Sequence, residues 1–426
     1  MFNLLKKLFP ICRSITGDGL KKSLYIVKSS LKKQDQKKFK IIKIKSGTKC
    51  YDWRFPKEWV IKDAFLLKRK KKIIDFKKNN LHVINYSHPV NLTNVPFKKV
   101  KKFLNFDKKY KNAIPYITSY YKKKIGLCLS YNKFKKLNND KYTIKIDSKF
   151  KKGFSYLGEY SIKGKSQKEI FFSTYLCHPS MANNELSGPV LSITLAKWIK
   201  QNFKKTNYSY RFVYGPETIG AIYYISKNIK KLKKNIKYAF NLTCLAGGMT
   251  FSFLPSRLGN TLSDKTSLNI LKHHYKNFKT YSFLSRGSDE RQYCSPKVNL
   301  PMVSVMKKKY HEYKEYHTSL DNLSFVKKTH LNHTLNFYKK LVYLIENNYY
   351  LKSNFVCEPQ LNKYFSISQP GGRSIRGNLK LILDILIYSD GKLTVVDVAE
   401  ILDRSAIKLL PLIRKLYKMK FISLSL

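Results

Sequence analysis

The chain has 426 residues, 43% of them hydrophobic, and a formal charge of +58 at pH 7. This excludes a disordered polymer and allows two or three domains with at least one large core. The basic residues are 73 Lys and 11 Arg, spread along the whole chain. That pattern reads as compositional drift with lysines on solvated faces; a dedicated nucleic-acid surface concentrates charge and favours bidentate Arg.

In chain order, residues 1–45 predict two short helices around a loop, Arg13-Ser-Ile-Thr-Gly-Asp-Gly. The start is interrupted by lysines and Pro10 and lacks the apolar core of a signal peptide. Residues 46–140 hold short aromatic and β-branched runs such as "YDWRFPKEW" and "AIPYITSYY", broken by Pro, Asn and Gly, which predict a small β-rich module. From about 141 the rhythm becomes strand–helix, as in "IFFSTYL" followed by "GPVLSITLAKWIKQNF", and "YSYRFVYG" followed by "ETIGAIYYISKNIKKLKK". This predicts an α/β fold, a mainly parallel sheet covered by helices on both faces, with functional groups at the carboxyl ends of strands. Residues 352–377 read as a linker and 378–426 as three helices and a strand, a winged-helix-like domain. No run of about 18 apolar residues is present, so no membrane span is expected. The seven cysteines lack CxxC spacing, which predicts reduced thiols in a cytoplasmic protein.

Four stretches carry candidate chemistry. His178 follows the strand "IFFSTYL", before a polar turn that opens a helix; a lone histidine there is also an ordinary structural residue. Glu217, in "YGPETIG", stands at a strand end and a helix start, where the helix dipole alone favours a carboxylate and a general base is equally well sited. The loop "SRGSDERQYCSP" gathers Arg286, Asp289, Glu290 and Arg291, either a solvated salt-bridge cluster or a substrate-binding wall in which Arg286 and Arg291 meet a carboxylate. His317 and Asp321, four residues apart in "EYHTSLDNL", suit a ligand at a loop-to-helix junction; His311 is a weaker candidate.

Together, "LFPICRSITGDG", "YDWRFPKEW", "STYLCHPSMANNELSG", "ETIGAIYY", "LTCLAGG", "LPSRLGNT", "RGSDERQYCSP", "EYHTSLDNL" and "CEPQL" resemble successive signatures of bacterial aminopeptidase-like proteins of unassigned function. The resemblance spans nearly the whole chain. It implies a zinc exopeptidase-type domain (1–45 and 141–351), an inserted β-rich domain (46–140) and a C-terminal winged helix. It puts His178 and His317 at the first and last metal-ligand positions and Glu217 at the general base. Asn184 falls at the bridging aspartate, Thr218 at a ligand glutamate and Gly247 at a further aspartate. Neutral Asn offers zinc no compensating charge, so one zinc ion at most is expected, with Glu185 or Asp289 as a substitute carboxylate. Three readings follow: a zinc-dependent hydrolase of a peptide, an amide or an acylated amino sugar; a metal-poor binding protein; and a regulator whose winged helix meets DNA or a protein partner.

Overall fold

The structure, a computed structural model, describes residues 1–275, 277–365 and 377–426; most of the linker read from the sequence, 366–376, lies outside them. The chain divides into a larger unit, Met1–Gly259 with Lys279–Asn336, and a smaller one, Asn260–Phe278 with Phe337–Leu426.

The larger unit is built on an eight-stranded sheet. Its order is Phe39–Lys45, Phe154–Ile162, Ser209–Gly215, Glu169–Tyr175, Ile236–Asn241, Met302–Met306, Phe251–Leu254 and Phe278–Thr280. The four strands from Ser209–Gly215 to Met302–Met306 are parallel. Glu169–Tyr175 is buried at every position and Met302–Met306 likewise, as expected for strands covered on both faces. From Glu169–Tyr175 the chain crosses by the helix Ser187–Asn202 to Ser209–Gly215 on one side. It then returns by the helix Ile219–Asn235 to Ile236–Asn241 on the other side. Right-handed crossovers running in opposite directions put the two helices on opposite faces. The carboxyl ends of Glu169–Tyr175 and Ser209–Gly215 therefore flank a topological switch point, where such sheets open a crevice.

A second, antiparallel sheet has the order Lys71–Asp75, Glu58–Lys68, Lys141–Lys151, Val90–Pro96. Lys141–Lys151 belongs here although the sequence rhythm placed it with the α/β part. Its alternating burial marks a strand with one face solvated. The apolar face packs Trp59, Leu66, Tyr86, Leu127 and Ile144 into a core that also takes in Ile15 and Cys177. The inserted module thereby shares its core with the loop that carries His178.

In the smaller unit the strand Tyr350–Ser353 pairs with Asp390–Thr394 and Ile422–Ser425, alongside the helices Asn378–Ile387, Val395–Ile401 and Ala406–Lys418. Capping boxes at Thr261–Asp264 and Thr394–Asp397, and a Ser405 cap, start three of its helices. This is a winged helix. Among the described residues no helix is long and apolar enough to cross a membrane.

Candidate functional site

A cavity of about 350 Å³ lies at the carboxyl ends of the parallel strands, lined by His178, Glu217, Thr218, Arg291 and His317 and by an aromatic wall of Trp53, Tyr116, Tyr120 and Tyr121. His178 comes from the loop after Glu169–Tyr175 and Glu217 from the turn after Ser209–Gly215, so the switch point brings them together. His317 arrives from the distant loop before the helix Lys328–Glu346. The inserted module reaches it directly: the Tyr116 N–H donates to the His317 carbonyl at 2.8 Å. The Tyr116 ring stands edge-on to both histidines, 5.1 Å from His178 and 5.2 Å from His317.

His178 is gripped from behind. Its Nδ1 meets Glu185 Oε2 at 2.6 Å, and Arg13, fully buried, donates from Nε to the His178 carbonyl at 3.0 Å. The same Nε lies 3.7 Å from Glu185 Oε1. Glu185 is the fourth residue of a π-helical turn, Ala182–Leu186, that leads into the helix Ser187–Asn202. Such turns re-aim side chains at functional sites. Asp321 closes the turn by accepting the N–H groups of Asn183 (2.6 Å) and Asn184 (2.8 Å), which ties the His317 loop to the His178 loop. Two lining residues, Thr218 (φ 65°) and His317 (φ 52°), have positive φ; for β-branched Thr218 this is a strained conformation, of a kind that clusters at working sites.

Glu217 faces His178, with Oε2 3.6 Å from Nε2, while its Oε1 accepts from the Ser288 hydroxyl at 2.9 Å. Burial pushes its carboxyl up, against the pull of His178 and Ser288. Asp289 is raised further, by burial and by Glu217 nearby, although it accepts the Thr218 N–H at 2.7 Å. Burial opposes charge on His178, yet its neighbours hold it well above its ordinary range. Burial sends the Cys177 thiol up to about 11. The thiol is therefore neutral near pH 7, and the Glu185 carboxylate carries the effect on His178. His317 moves the other way, well below its usual value, through burial and then the charge on His178. Its Nε2 is shielded from solvent and has no hydrogen-bond partner. A histidine raised above its ordinary range, a carboxyl group raised above its own, and a histidine lowered below its range thus share the cavity.

The sequence candidates are not all gathered here. Arg291 lines the cavity and donates to Thr218 Oγ1 at 2.6 Å. Arg286 does not line it; its exposed guanidinium lies 5.2 Å from the centre of the Phe283 ring. The short helix Glu290–Tyr293 turns the two arginines apart. Glu290 is buried as the acceptor for the Gly287 and Ser288 N–H groups and the Tyr310 hydroxyl. His311 is exposed and packs on Tyr316. Asn184 spends Oδ1 on the Tyr175 hydroxyl at 2.7 Å. Gly247 abuts Asn183: a Cβ there would come 2.8 Å from Asn183 Nδ2. Sequence reasoning missed Arg13, Trp53, Tyr116, Tyr120 and Ser288. In a chain with 31 Tyr, the run "YITSYY" carried no local mark of function.

Comparison with known proteins agrees with this architecture. The model of a family described as "Domain of unknown function (DUF4910)" matches residues 2–348, and that of a winged helix-turn-helix family matches 348–424. A Clostridium acetobutylicum protein, named provisionally as a polysaccharide biosynthesis protein with an aminopeptidase-like domain, is 42% identical over 404 residues, 94% of this chain and 90% of its own length. A crystal structure of a provisionally described peptidase from that organism has a TM-score of 0.90 at 39% identity, covering 100% of this chain and 96% of that one. A zinc aminopeptidase from Bacillus subtilis shares the fold at 13% identity, with a TM-score of 0.57 over 80% of this chain and 93% of that one. The fold is aminopeptidase-like.

The sequence resemblance implies one zinc ion at most, and the donors fit it only in part. The unpartnered Nε2 of His317 suits a ligand, and so does a His178 oriented by a carboxylate on Nδ1. The distances do not. Ligand atoms held at about 2.0–2.2 Å from one ion lie no more than roughly 4.4 Å apart. Among the described residues, the group of three potential ligands whose donor atoms lie within 4.8 Å of one another is Cys177, His178 and Glu185, not His178, Glu217 and His317. In that group the 2.6 Å contact of His178 with Glu185 is a hydrogen bond, shorter than the roughly 3.3 Å between two tetrahedral zinc ligands. With Asn184 committed to Tyr175 and Thr218 to Arg291, the residues as placed do not form an aminopeptidase two-metal centre.

Proposed function

We propose, on the premise that the chain belongs to the DUF4910 family, that its strand-end cavity is a peptidase-like amide site. It binds a small molecule bearing an amide or acylamino group and breaks that bond with Glu217 as proton carrier. The observation that carries this reading is the pairing of Glu217 Oε2 with His178 Nε2 at 3.6 Å across the cavity. Glu217 takes the proton of an attacking water and hands it to the departing nitrogen. His178, kept protonated by Glu185, offers its Nε2–H to the carbonyl oxygen as charge develops there. The aromatic wall and the small volume favour a compact ligand over a long peptide. An N-acylated amino sugar fits that description, in keeping with a relative named for polysaccharide biosynthesis.

A panel of aminoacyl anilides and N-acetylated amino sugars, assayed for release of the amine, tests this. Glu217→Gln is expected to lower kcat by about 100-fold or more while ligand binding, followed by calorimetry, is retained. Binding of a panel member without turnover by the wild type would favour a metal-poor binding protein instead.

A second reading rests on the orphaned Nε2 of His317: a single zinc ion drawn between His178 and His317, with Asp289 or Glu185 behind them. It requires His317 to close on His178. Elemental analysis after purification without chelator decides it, since sub-stoichiometric zinc removes it. For the winged helix, Lys408, Lys415 and Lys418 are exposed on the helix Ala406–Lys418, while Leu409, Leu410, Ile413 and Leu416 are buried. That face suits duplex DNA, and binding to duplexes that is indifferent to sequence and salt would dismiss a specific role.

A further inference from the structure

Four aromatic residues line the cavity that holds His178 and Glu217: Trp53, Tyr116, Tyr120 and Tyr121. All four fall within residues 46–140, apart from the strands that lead to His178 and Glu217. The stretch that carries Tyr116 is fastened on both sides. The Ile114 N–H donates to the Ser319 hydroxyl at 3.0 Å, and the Ser319 N–H donates to the Ile114 carbonyl at 2.9 Å. On the other side the Asn85 N–H donates to the Ile117 carbonyl and the Ser119 N–H to the Asn85 carbonyl, both at 2.9 Å. Side chains on such a strap are in place before any ligand arrives.

The hydroxyls of Tyr116 and Tyr120 lie 2.9 Å apart. The side chains around Tyr116, namely His178, His317 and Tyr120, all line the cavity themselves. Among the described residues neither hydroxyl has a second hydrogen-bond partner. Two phenols carry two protons at neutral pH and the bond between them uses one, so the other is left for solvent or a ligand. Tyr86, whose ring stands edge-on to Tyr120, shows the contrast: its hydroxyl meets Thr16 Oγ1 at 2.6 Å and donates to the Lys57 carbonyl at 3.1 Å, so its proton is spent inside the protein.

We propose that the ligand of this cavity is a sugar, in which a ring hydroxyl bonds the Tyr116–Tyr120 pair and the C–H face of the ring covers Trp53 and Tyr121. This rests on the amide reading above and narrows its ligand. A sugar hydroxyl both donates and accepts, and so does the pair, through its spare proton and its oxygen lone pairs. A peptide carbonyl would use the proton alone. Trp53 and Tyr121 meet edge to face with ring centres 5.9 Å apart, and Tyr121 is 55% exposed, an aromatic surface at the cavity that a sugar ring can cover.

The test is calorimetry on the full chain with two probes that share a six-membered ring and an acetamido group: N-acetylglucosamine, which carries hydroxyls, and N-cyclohexylacetamide, which has none. The wild type is expected to bind the sugar more tightly. Tyr116→Phe with Tyr120→Phe, which keeps both rings, is expected to weaken the sugar about fivefold and to leave N-cyclohexylacetamide unchanged. A merely structural role would move both probes or neither. Tyr121→Ala, at an exposed position, should weaken both a few-fold, and no loss there would overturn the stacking. Equal binding of the two probes by the wild type, binding of neither, or equal losses in the double variant would overturn the proposal. Turnover of the aminoacyl anilides judges the amide reading separately: anilide cleavage without preference for the sugar sinks this proposal and leaves that reading standing.

Discussion

Two buried places of the larger unit, around His178 and around Lys307, solve the burial of charge in opposite ways. Around His178 charges of opposite sign meet, Glu185 between Arg13 and His178, then Glu217 facing His178, while Asp289 is raised by burial and by Glu217 beside it. The Lys307 amine instead meets neutral groups, the Met249 carbonyl, His333 Nδ1 and the Phe251 ring. In the first arrangement the cost of desolvation is offset in part within the protein. The second leaves that cost standing. Substitutions should therefore act with opposite sign on stability at the two places.

The largest effect is expected from Glu185→Ala. It strands Arg13 and His178 without their carboxylate in the interior, and unpairing a buried charge costs about 3–5 kcal/mol. Urea denaturation should show the midpoint falling while the slope is kept, and Glu185→Gln, which retains one hydrogen bond to His178, should lose less. A loss below about 1 kcal/mol for the alanine variant, the worth of an exposed pair, would mean that this cluster is not closed to water. Glu217→Gln is the contrast within the same cavity. Burial raises that carboxyl, so removing its charge should leave thermal stability level or higher while the proposed turnover collapses.

Lys307→Met comes next and should stabilise. The sign follows from the displaced amine. Its value falls from the ordinary 10.5 to about 7 through burial, so the folded state binds fewer protons than the unfolded chain between those values. The stability tied to this group is full above pH 10.5 and is lost as pH falls toward 7, with a slope of at most about 1.4 kcal/mol per pH unit. The titratable neighbour that faces it is His333. His333 is itself lowered by burial and by Lys307 and is neutral throughout that window. The difference in melting temperature between wild type and variant should therefore grow from pH 10 to pH 7.5. A constant difference would show that the amine keeps its charge in the fold.

How far the sequence reveals these two places differs for a physical reason. Strand–helix alternation is a local property of the chain, and it placed the loops after "IFFSTYL" and "YSYRFVYG" at the sheet's carboxyl edge, where the structure sets His178 and Glu217. The partners that make the place chemically particular come from far away: Arg13 is 165 residues from His178, and Ser288 is 71 from Glu217. No periodicity carries such pairings. The place around Lys307 was invisible for the opposite reason. Lysine is the commonest residue type in the chain, and only burial separates Lys307 and Lys309 from the rest. Lys141–Lys151 shows a third limit: its alternation marked a strand, but not which sheet would take it.

The smallest expected effect separates two arginines that look equivalent in "SRGSDERQYCSP". Arg291 lines the strand-end cavity and holds Thr218 Oγ1 at 2.6 Å, in an exposed place where solvent screens its charge. Arg291→Ala should weaken ligand binding there by a few-fold, on the order of 0.5–1 kcal/mol, and should loosen the strained turn at Thr218. Arg286→Ala should change neither, since its guanidinium rests on Phe283 outside the cavity. Calorimetry with any ligand that this cavity accepts reads both. If Arg286→Ala weakens binding as much as Arg291→Ala, the loop swings on ligand binding. Its mixed charges then act together as a wall, and the separation imposed by the short helix Glu290–Tyr293 does not persist once ligand is bound.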